Sequence, residues 1–397
     1  MNRGWKAKTL EEACQFSSGL WKGENPPFVK VGVIRNTNFT KEGTLNDSDI
    51  AYLDVEVKKY EKRRLQFGDI ILEKSGGGPK QPVGRVALFD MKEGDYSFSN
   101  FTASIRVQDP DELDFRFVHR FLHWTYVAGV TERMQSNSTG IRNLDGEAYK
   151  AIEISFPPLD EQKRIVAKLD EAFVGLAKAK ENAEKNLQNA RALFESHLDS
   201  VFTQRGPGWK MEKLDVLTEL ARGHNPPKSK FIREQKPGYV RFYQIRDGGS
   251  DDYACYVPDT PQLHKMKKDD IMMVAYRHVG RAFRGVEGAF NVALCKISNA
   301  RRDILDDDYL FHLIPSQYVK GELLKRSERS LIPSMSIEHL RELRIPLPPL
   351  REQQHIVKLI NSLSKETQRL ARIYEQKLEA LESLKKSILH EAFSGNL

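Results

Sequence analysis

The chain has three cysteines in 397 residues, Cys14, Cys255 and Cys295, and no two stand close enough to form a CxxC zinc or redox pair. An odd number also argues against a disulfide framework, so they read as reduced core residues. No run of about 18 apolar residues occurs, which excludes a transmembrane helix. The opening MNRGWKAKTL offers no apolar signal core, and the expectation is a cytoplasmic protein. Catalytic signatures are missing too: there is no GxxxxGK[ST] phosphate loop, no HExxH and no GxSxG, and the ten histidines are scattered. Proline is absent between Pro158 and Pro207 and again after Pro349. Those two stretches are free to form long uninterrupted helices.

What is present is a basic balance and an ordinary core. Hydrophobic residues make up 40%, enough for about two or three domains at this length. A net charge of +7, with a pI near 9.0, is the footprint of a protein that meets a polyanion.

The chain is written twice. GWKAKTLEE at Gly4 recurs as GWKMEKLDV at Gly208, and NPP at Asn25 recurs at Asn225. VKVGVIRN at Val29 returns loosely as VRFYQIRD at Val240. FGDIILEK matches KDDIMMVA, with Asp69 against Asp270, and VGRVA matches VGRAF, with Gly84 against Gly280. From Leu144 onward one offset holds without a gap, the 191 residues that separate Gln162 from Gln353 in ISFPPLDEQKRIV and IPLPPLREQQHIV.

Each unit opens with short alternating segments punctuated by Gly, Pro and Asn, which predicts strands and loops with a few helices. A proline-free helix follows, with Asp160 expected to cap the first copy. In that copy Leu169, Phe173, Leu176, Ala183, Leu187, Ala190, Phe194 and Val201 form a heptad seam interrupted by Lys180 and His197. Leu363, Leu370, Tyr374, Leu381, Leu384 and Ile388 form the second seam, with Thr367 and Lys377 inside it. Two equal helices most economically pack on each other. About 43 residues span roughly 60 Å, more than the width of a domain of about 140 residues, so an antiparallel pair is expected. The predicted fold is α+β: two mixed globular domains in pseudo-two-fold repeat, joined by two long helices in an antiparallel coiled coil. The expected boundaries are 1–155 and 205–345 for the globular domains, with helical spacers at 156–204 and 346–397.

The segment NPPF at Asn25 to Phe28 has the form of the catalytic tetrapeptide of DNA amino-methyltransferases, in which Asn holds the amino group and an aromatic stacks on a flipped base. The repeat is an internal control. Its second copy reads NPPK and loses the aromatic. Nor does DIILEKSGGGPKQPVGRVALF serve as a cofactor turn, since prolines and then a strand follow its glycines where a helix should begin. A Pro-Pro turn before a strand is the better account of NPPF.

Basic and amide side chains in matching loops remain. Lys30, Arg35, Asn36 and Asn38 correspond to the region of Arg241, Gln244, Arg246 and Asp247. Lys74, Ser75, Lys80 and Arg85 correspond to that of Tyr276, Arg277, His278 and Arg281. Ser138 and Arg142 before the first long helix, and Arg329 and Ser330 before the second, are further candidates. Arg and Lys bond guanine edges or phosphates, and Asn and Gln read adenine, so such loops on a rigid frame suit base discrimination.

Together, the two-unit layout, FPPLDEQKRIV and LPPLREQQHIV at the heads of heptad helices, and the closing SILHEAFSGNL resemble the specificity subunit of type I restriction-modification systems. The resemblance covers essentially the whole chain. It implies a non-catalytic protein whose two target recognition domains each read half of a bipartite site in double-stranded DNA. It also implies that the helices space those domains and dock two modification (methyltransferase) subunits, with restriction subunits as further partners. S-adenosylmethionine, ATP and Mg²⁺ are then expected on the partner subunits, with no cofactor on this chain. Two other readings stay open at this point: a DNA amino-methyltransferase with divergent motifs, which cofactor binding to the isolated chain distinguishes, and a coiled-coil protein scaffold, which binding to a mixed DNA pool distinguishes.

Overall fold

A computed structural model describes residues 4–20, 23–78, 81–138, 141–204, 206–247, 251–325 and 335–396. The chain forms two compact units, Met1–Glu184 with Gln376–Leu397, and Lys185–Glu375. Among the described residues no helix is long and apolar enough to cross a membrane. All three cysteines are free and buried; burial pushes the Cys14 thiol up to about 12 and that of Cys295 to about 11.

The repeat visible in the sequence is a repeat of topology. In the first unit Cys14–Ser18, Thr102–Val107, Ile70–Glu73 and Val86–Leu88 form an antiparallel sheet in that order. The second unit builds the same sheet from Thr218–Arg222, Leu294–Asn299, Ile271–Val274 and Ala282–Phe283. Beside these, Phe28–Ile34 pairs antiparallel with Ala51–Glu56 and parallel with Tyr96–Phe98, and Tyr239–Tyr243 does the same with Tyr256–Pro258 and Gly288–Phe290. Short helices, Phe115–Val127 and Asp307–Leu313, cover the cores. Their N-caps, Asp114 and Asp306, each accept two backbone N–H bonds.

The Pro-Pro-Leu-x-Glu-Gln signature has a physical role at this point. The long helices run Leu159–Thr203 and Leu350–Ser394, so Asp160 lies inside the first turn, where its charge favours the helix dipole, and is not the expected cap. The Gln162 side chain is fully buried. Its carbonyl accepts the Asp114 N–H at 2.9 Å, and its amide donates to the carbonyls of Glu112 (2.9 Å) and Pro157 (2.8 Å). Gln353 makes the same three bonds, to Asp306 N–H and to the Ile304 and Pro348 carbonyls, each at 2.8 Å. One glutamine thus ties the start of each long helix to the cap of the short helix beside it. Only Gln offers an acceptor and two donors in that shape. One turn further on, Ile165, Val166 and Leu169, or Ile356, Val357 and Ile360, enter the cores.

Each core is closed by the far end of the other helix. Phe393 packs edge-on against Phe117 and Phe121 at 5.4 and 5.6 Å in the first unit, and Phe202 meets Tyr309 at 5.6 Å in the second. That exchange requires the helices to run antiparallel. Lys180 bonds Glu382 at 2.8 Å within the first unit and Arg191 bonds Glu375 at 3.0 Å within the second, which fixes the same direction. These exposed pairs contribute little stability, about 0–1 kcal/mol each, but they mark register.

The seam follows the expected pattern with one correction. Leu169 and Ala183 are buried, and Phe173, Leu176, Leu187, Phe194, Leu363, Leu370, Tyr374, Leu381 and Ile388 are half-buried. Leu384, expected in the seam, is 48% exposed. Lys385 takes the inward position, with its Nζ 5.4 Å from the Phe173 ring centroid. The change begins two turns earlier. Leu378 turns inward in place of Lys377, because burying a leucine costs less than desolvating an ammonium, and Lys385 follows one heptad later while Leu381 and Ile388 keep their places.

Two predictions follow from these buried groups. Gln162→Leu or Gln353→Leu leaves an N–H and two carbonyls without partners, at about 1–3 kcal/mol per orphan, so each variant should lose at least about 3 kcal/mol in urea unfolding. A loss under about 0.5 kcal/mol would show that the clamp is dispensable. His119 and His123 are buried, with pKa values lowered to about 3, chiefly by burial, with Arg120 and, for His123, Lys385 adding repulsion. The folded state therefore binds fewer protons than the unfolded state. Stability is fully present above the ordinary histidine pKa of about 6.5 and should fall as pH drops from there toward 3. Urea midpoints at pH 7.5 and 5.5 should show the drop, and His123→Met should reduce it, leaving the part due to His119; a pH-independent midpoint in the parent would contradict the assignment.

Candidate nucleic-acid interface

Both units carry a hairpin built on one frame. The strand Ile70–Glu73 turns back to Val86–Leu88, and Ile271–Val274 turns back to Ala282–Phe283. Both are closed by the same bonds: Glu73 N–H to the Arg85 carbonyl and Val274 N–H to that of Arg281, each 2.8 Å, then Gly84 N–H to Glu73 and Gly280 N–H to Val274. Gly84 and Gly280 sit at φ +107° and +91°, the left-handed region that glycine enters without strain. Asp69 and Asp270 anchor the hairpins from behind. Each carboxylate accepts a backbone N–H three residues earlier, from Gln66 at 2.8 Å and Lys267 at 2.7 Å.

The side chains on that frame differ. In the first unit Glu73 is 1% exposed and holds Arg85, 16% exposed, in a forked pair at 2.7 and 2.9 Å. Asn36 donates to the same carboxylate at 3.1 Å, and its carbonyl accepts from Arg85 at 3.1 Å. In the second unit the position of Glu73 is the buried Val274. Arg281 is exposed, and among the described residues no carboxylate pairs with it. Arg277, His278 and Arg281 line a groove of about 560 Å³ together with Gln317 and Lys320 of the helix Gln317–Lys325. That helix buries Val319 and Leu323 and turns Gln317, Lys320 and Leu324 to the groove.

Several candidates from the sequence are occupied in the interior. Asn38 is buried, donates to the carbonyls of Asn46 and Asp49, and accepts the Arg35 N–H at 2.9 Å; it closes a turn, as Asp247 does for Gln244 at 2.8 Å. Arg85 is held as described. Arg241 is also occupied, bonding the carbonyls of Phe242 and Cys255 and the Asp251 carboxylate over the Tyr243 ring. Periodicity and residue type did not reveal these partners. The pairing of Glu73 with Val274 in the repeat was the available signal for Arg85.

The remaining candidates lie nearer the surface. Lys30 is exposed on its strand, and Arg35 reaches the Asp49 carbonyl and carboxylate. Lys74 is half-buried, which lowers its pKa, and Ser75 bonds Asn143 at 2.5 Å. Arg142 contacts Gln135 at 3.4 Å. Arg246 is exposed over Tyr253, and Gln244 leans on the Cys255 sulfur at 3.6 Å. Tyr276 is half-buried beneath Arg277. Lys80, Arg329, Ser330 and the side chain of Ser138 lie outside the described residues. Asn25 to Phe28 are exposed in a bend that enters a strand, and Asn225 accepts the Val292 N–H at 3.3 Å, a turn contact.

This contrast predicts different outcomes for equivalent arginines. Arg85→Ala strands the buried Glu73 carboxylate and should cost about 3–5 kcal/mol in urea unfolding. Arg281→Ala should stay within about 0.5 kcal/mol of the parent. Equal losses would refute the distinction.

Comparison with known proteins supplies the family. Residues 2–185 and 207–380 match the family described as Type I restriction modification DNA specificity domain. The chain is 24% identical to the type I restriction enzyme EcoKI specificity subunit of Escherichia coli, across 95% of this chain and 83% of that one. Its fold is similar to that of the HsdS subunit from Thermoanaerobacter tengcongensis, with a TM-score of 0.65 at 20% identity over 100% and 98% of the two chains. A chain of a solved type I R-M system gives a TM-score of 0.81, also at 20% identity, over 100% and 99%. With both repeats matched over most of their length, the chain belongs to the type I restriction-modification DNA specificity family.

Proposed function

We propose that this chain is the non-catalytic, DNA-reading subunit of a type I restriction-modification complex, in which each unit reads its own half of a bipartite site in duplex DNA. The observation that carries the reading is one hairpin frame, closed by the same two backbone bonds in both units, that presents different side chains in its two copies. A repeated frame with repeated side chains would serve two identical contacts. Unlike side chains on a common frame serve two unlike targets. The long helices, anchored at both ends in packed cores, are suited to set the gap between half-sites and to dock modification subunits. S-adenosylmethionine would then belong to those subunits, and ATP and Mg²⁺ to restriction subunits, with the assembly working in the cytoplasm.

The test is methyl transfer to DNA by the purified chain, by modification subunits alone and by the two together. Transfer should require both, at sites the chain determines. Robust transfer by the chain alone would overturn the proposal in favour of a divergent methyltransferase, and failure to bind any duplex would favour a scaffold.

A further inference from the structure

The seventh residue beyond Asp69 is Gly76 and the seventh beyond Asp270 is Arg277, each within its hairpin loop, although the second loop is five residues shorter before its closing glycine. Both backbones are left-handed there, at φ +101° and +63°. Arg277 is the one non-glycine at positive φ among the described residues. A side chain with a Cβ is strained in that conformation and glycine is not, so folding alone favours glycine at both places. In the first unit glycine also fits the space, since an added Cβ would sit 3.1 Å from the Asn36 amide nitrogen. The second unit carries arginine in spite of the strain. Backbone strain of this kind collects where a side chain is needed for function.

The surroundings of Arg277 leave its guanidinium available to a ligand. Its side chain is exposed, and among the described residues no carboxylate neutralises it. The guanidinium lies 5.6 Å from the Tyr276 ring centroid, so the ring supports it without using up its fork of donors. Arg281 and Lys320 line the same groove and are likewise unpaired among the described residues. A planar, supported fork at a loop tip matches the O6 and N7 acceptors of guanine, the one base edge that takes arginine in two parallel bonds. The flanking point charges suit phosphates. Building on the DNA-reading function proposed above, we infer that Arg277 reads a guanine in the major groove of the second half-site, with Arg281 and Lys320 on adjacent phosphates.

The experiment is competitive binding by the full chain assembled with its modification subunits, against duplexes in which every position of each half-site is varied, together with thermal unfolding of the same proteins. Arg277→Gly should keep or raise the melting midpoint, because it relieves the backbone. It should also lose roughly 5- to 150-fold of discrimination at a single G·C pair of the second half-site and none in the first. Arg277→Lys should lose discrimination at the same pair while keeping most of the affinity. Lys320→Ala should weaken all sequences alike and reduce the salt slope by about one.

Three results would overturn the inference. One is an Arg277→Gly variant with the preferences of the parent. Another is a loss spread evenly over all bases, which makes Arg277 a phosphate contact. The third is a lowered midpoint with unchanged preference, which makes it a folding residue. A parent complex with no preference in either half-site would overturn the DNA-reading function itself, and this assignment with it.

Discussion

One buried glutamine per repeat holds the architecture together. Gln162 and Gln353 each satisfy an N-cap N–H and two carbonyls that would otherwise be orphaned where a Pro-Pro segment enters a long helix. An unsatisfied buried polar group is costly, so the geometry tolerates little variation. The clamp fixes the angle at which each long helix leaves its globular domain. With Ile165 and Val166, or Ile356 and Val357, packed one turn later, the helix becomes an extension of the core.

The division of labour within each unit follows from that fixity. Sheet, short helix and clamp repeat closely, down to the hairpin bonds of Glu73 and Val274 with Arg85 and Arg281. What changes is the loop between those bonds, its exposed side chains and the buried residue at the position of Glu73 and Val274. Replacing a buried carboxylate with a buried valine converts an arginine held in an internal pair into one that faces solvent. A single core position therefore alters what the surface offers while the bonds that close the hairpin stay the same. The energetic reason is that Glu73 cannot be buried without a cation, whereas Val274 makes no such demand on Arg281.

The frame was largely legible in the sequence. A constant offset, two proline-free heptad stretches and paired Pro-Pro-Leu-x-Glu-Gln segments led to two α+β domains and antiparallel helices, because period and repetition are local, additive signals. The interface was less legible. Asn38, Arg85 and Arg241 have the residue types of DNA contacts but are bonded to groups such as Asn46, Glu73 and Cys255, pairings made by tertiary structure. Gln317 and Lys320 were missed because they sit on an ordinary amphipathic helix, and nothing in the spacing shows that they face a groove. Leu384 was misplaced because a strict heptad count cannot see that Leu378 displaces Lys377 two turns earlier.

The account's central claim is that one repeated frame carries two independent reading faces. The most direct test is to map the methylated positions in the host genome, with this chain present and with it deleted. The account predicts a motif that depends on the chain and has two short specified segments separated by a fixed unspecified gap. A single contiguous motif, or a bipartite motif that survives deletion of the chain, would contradict it.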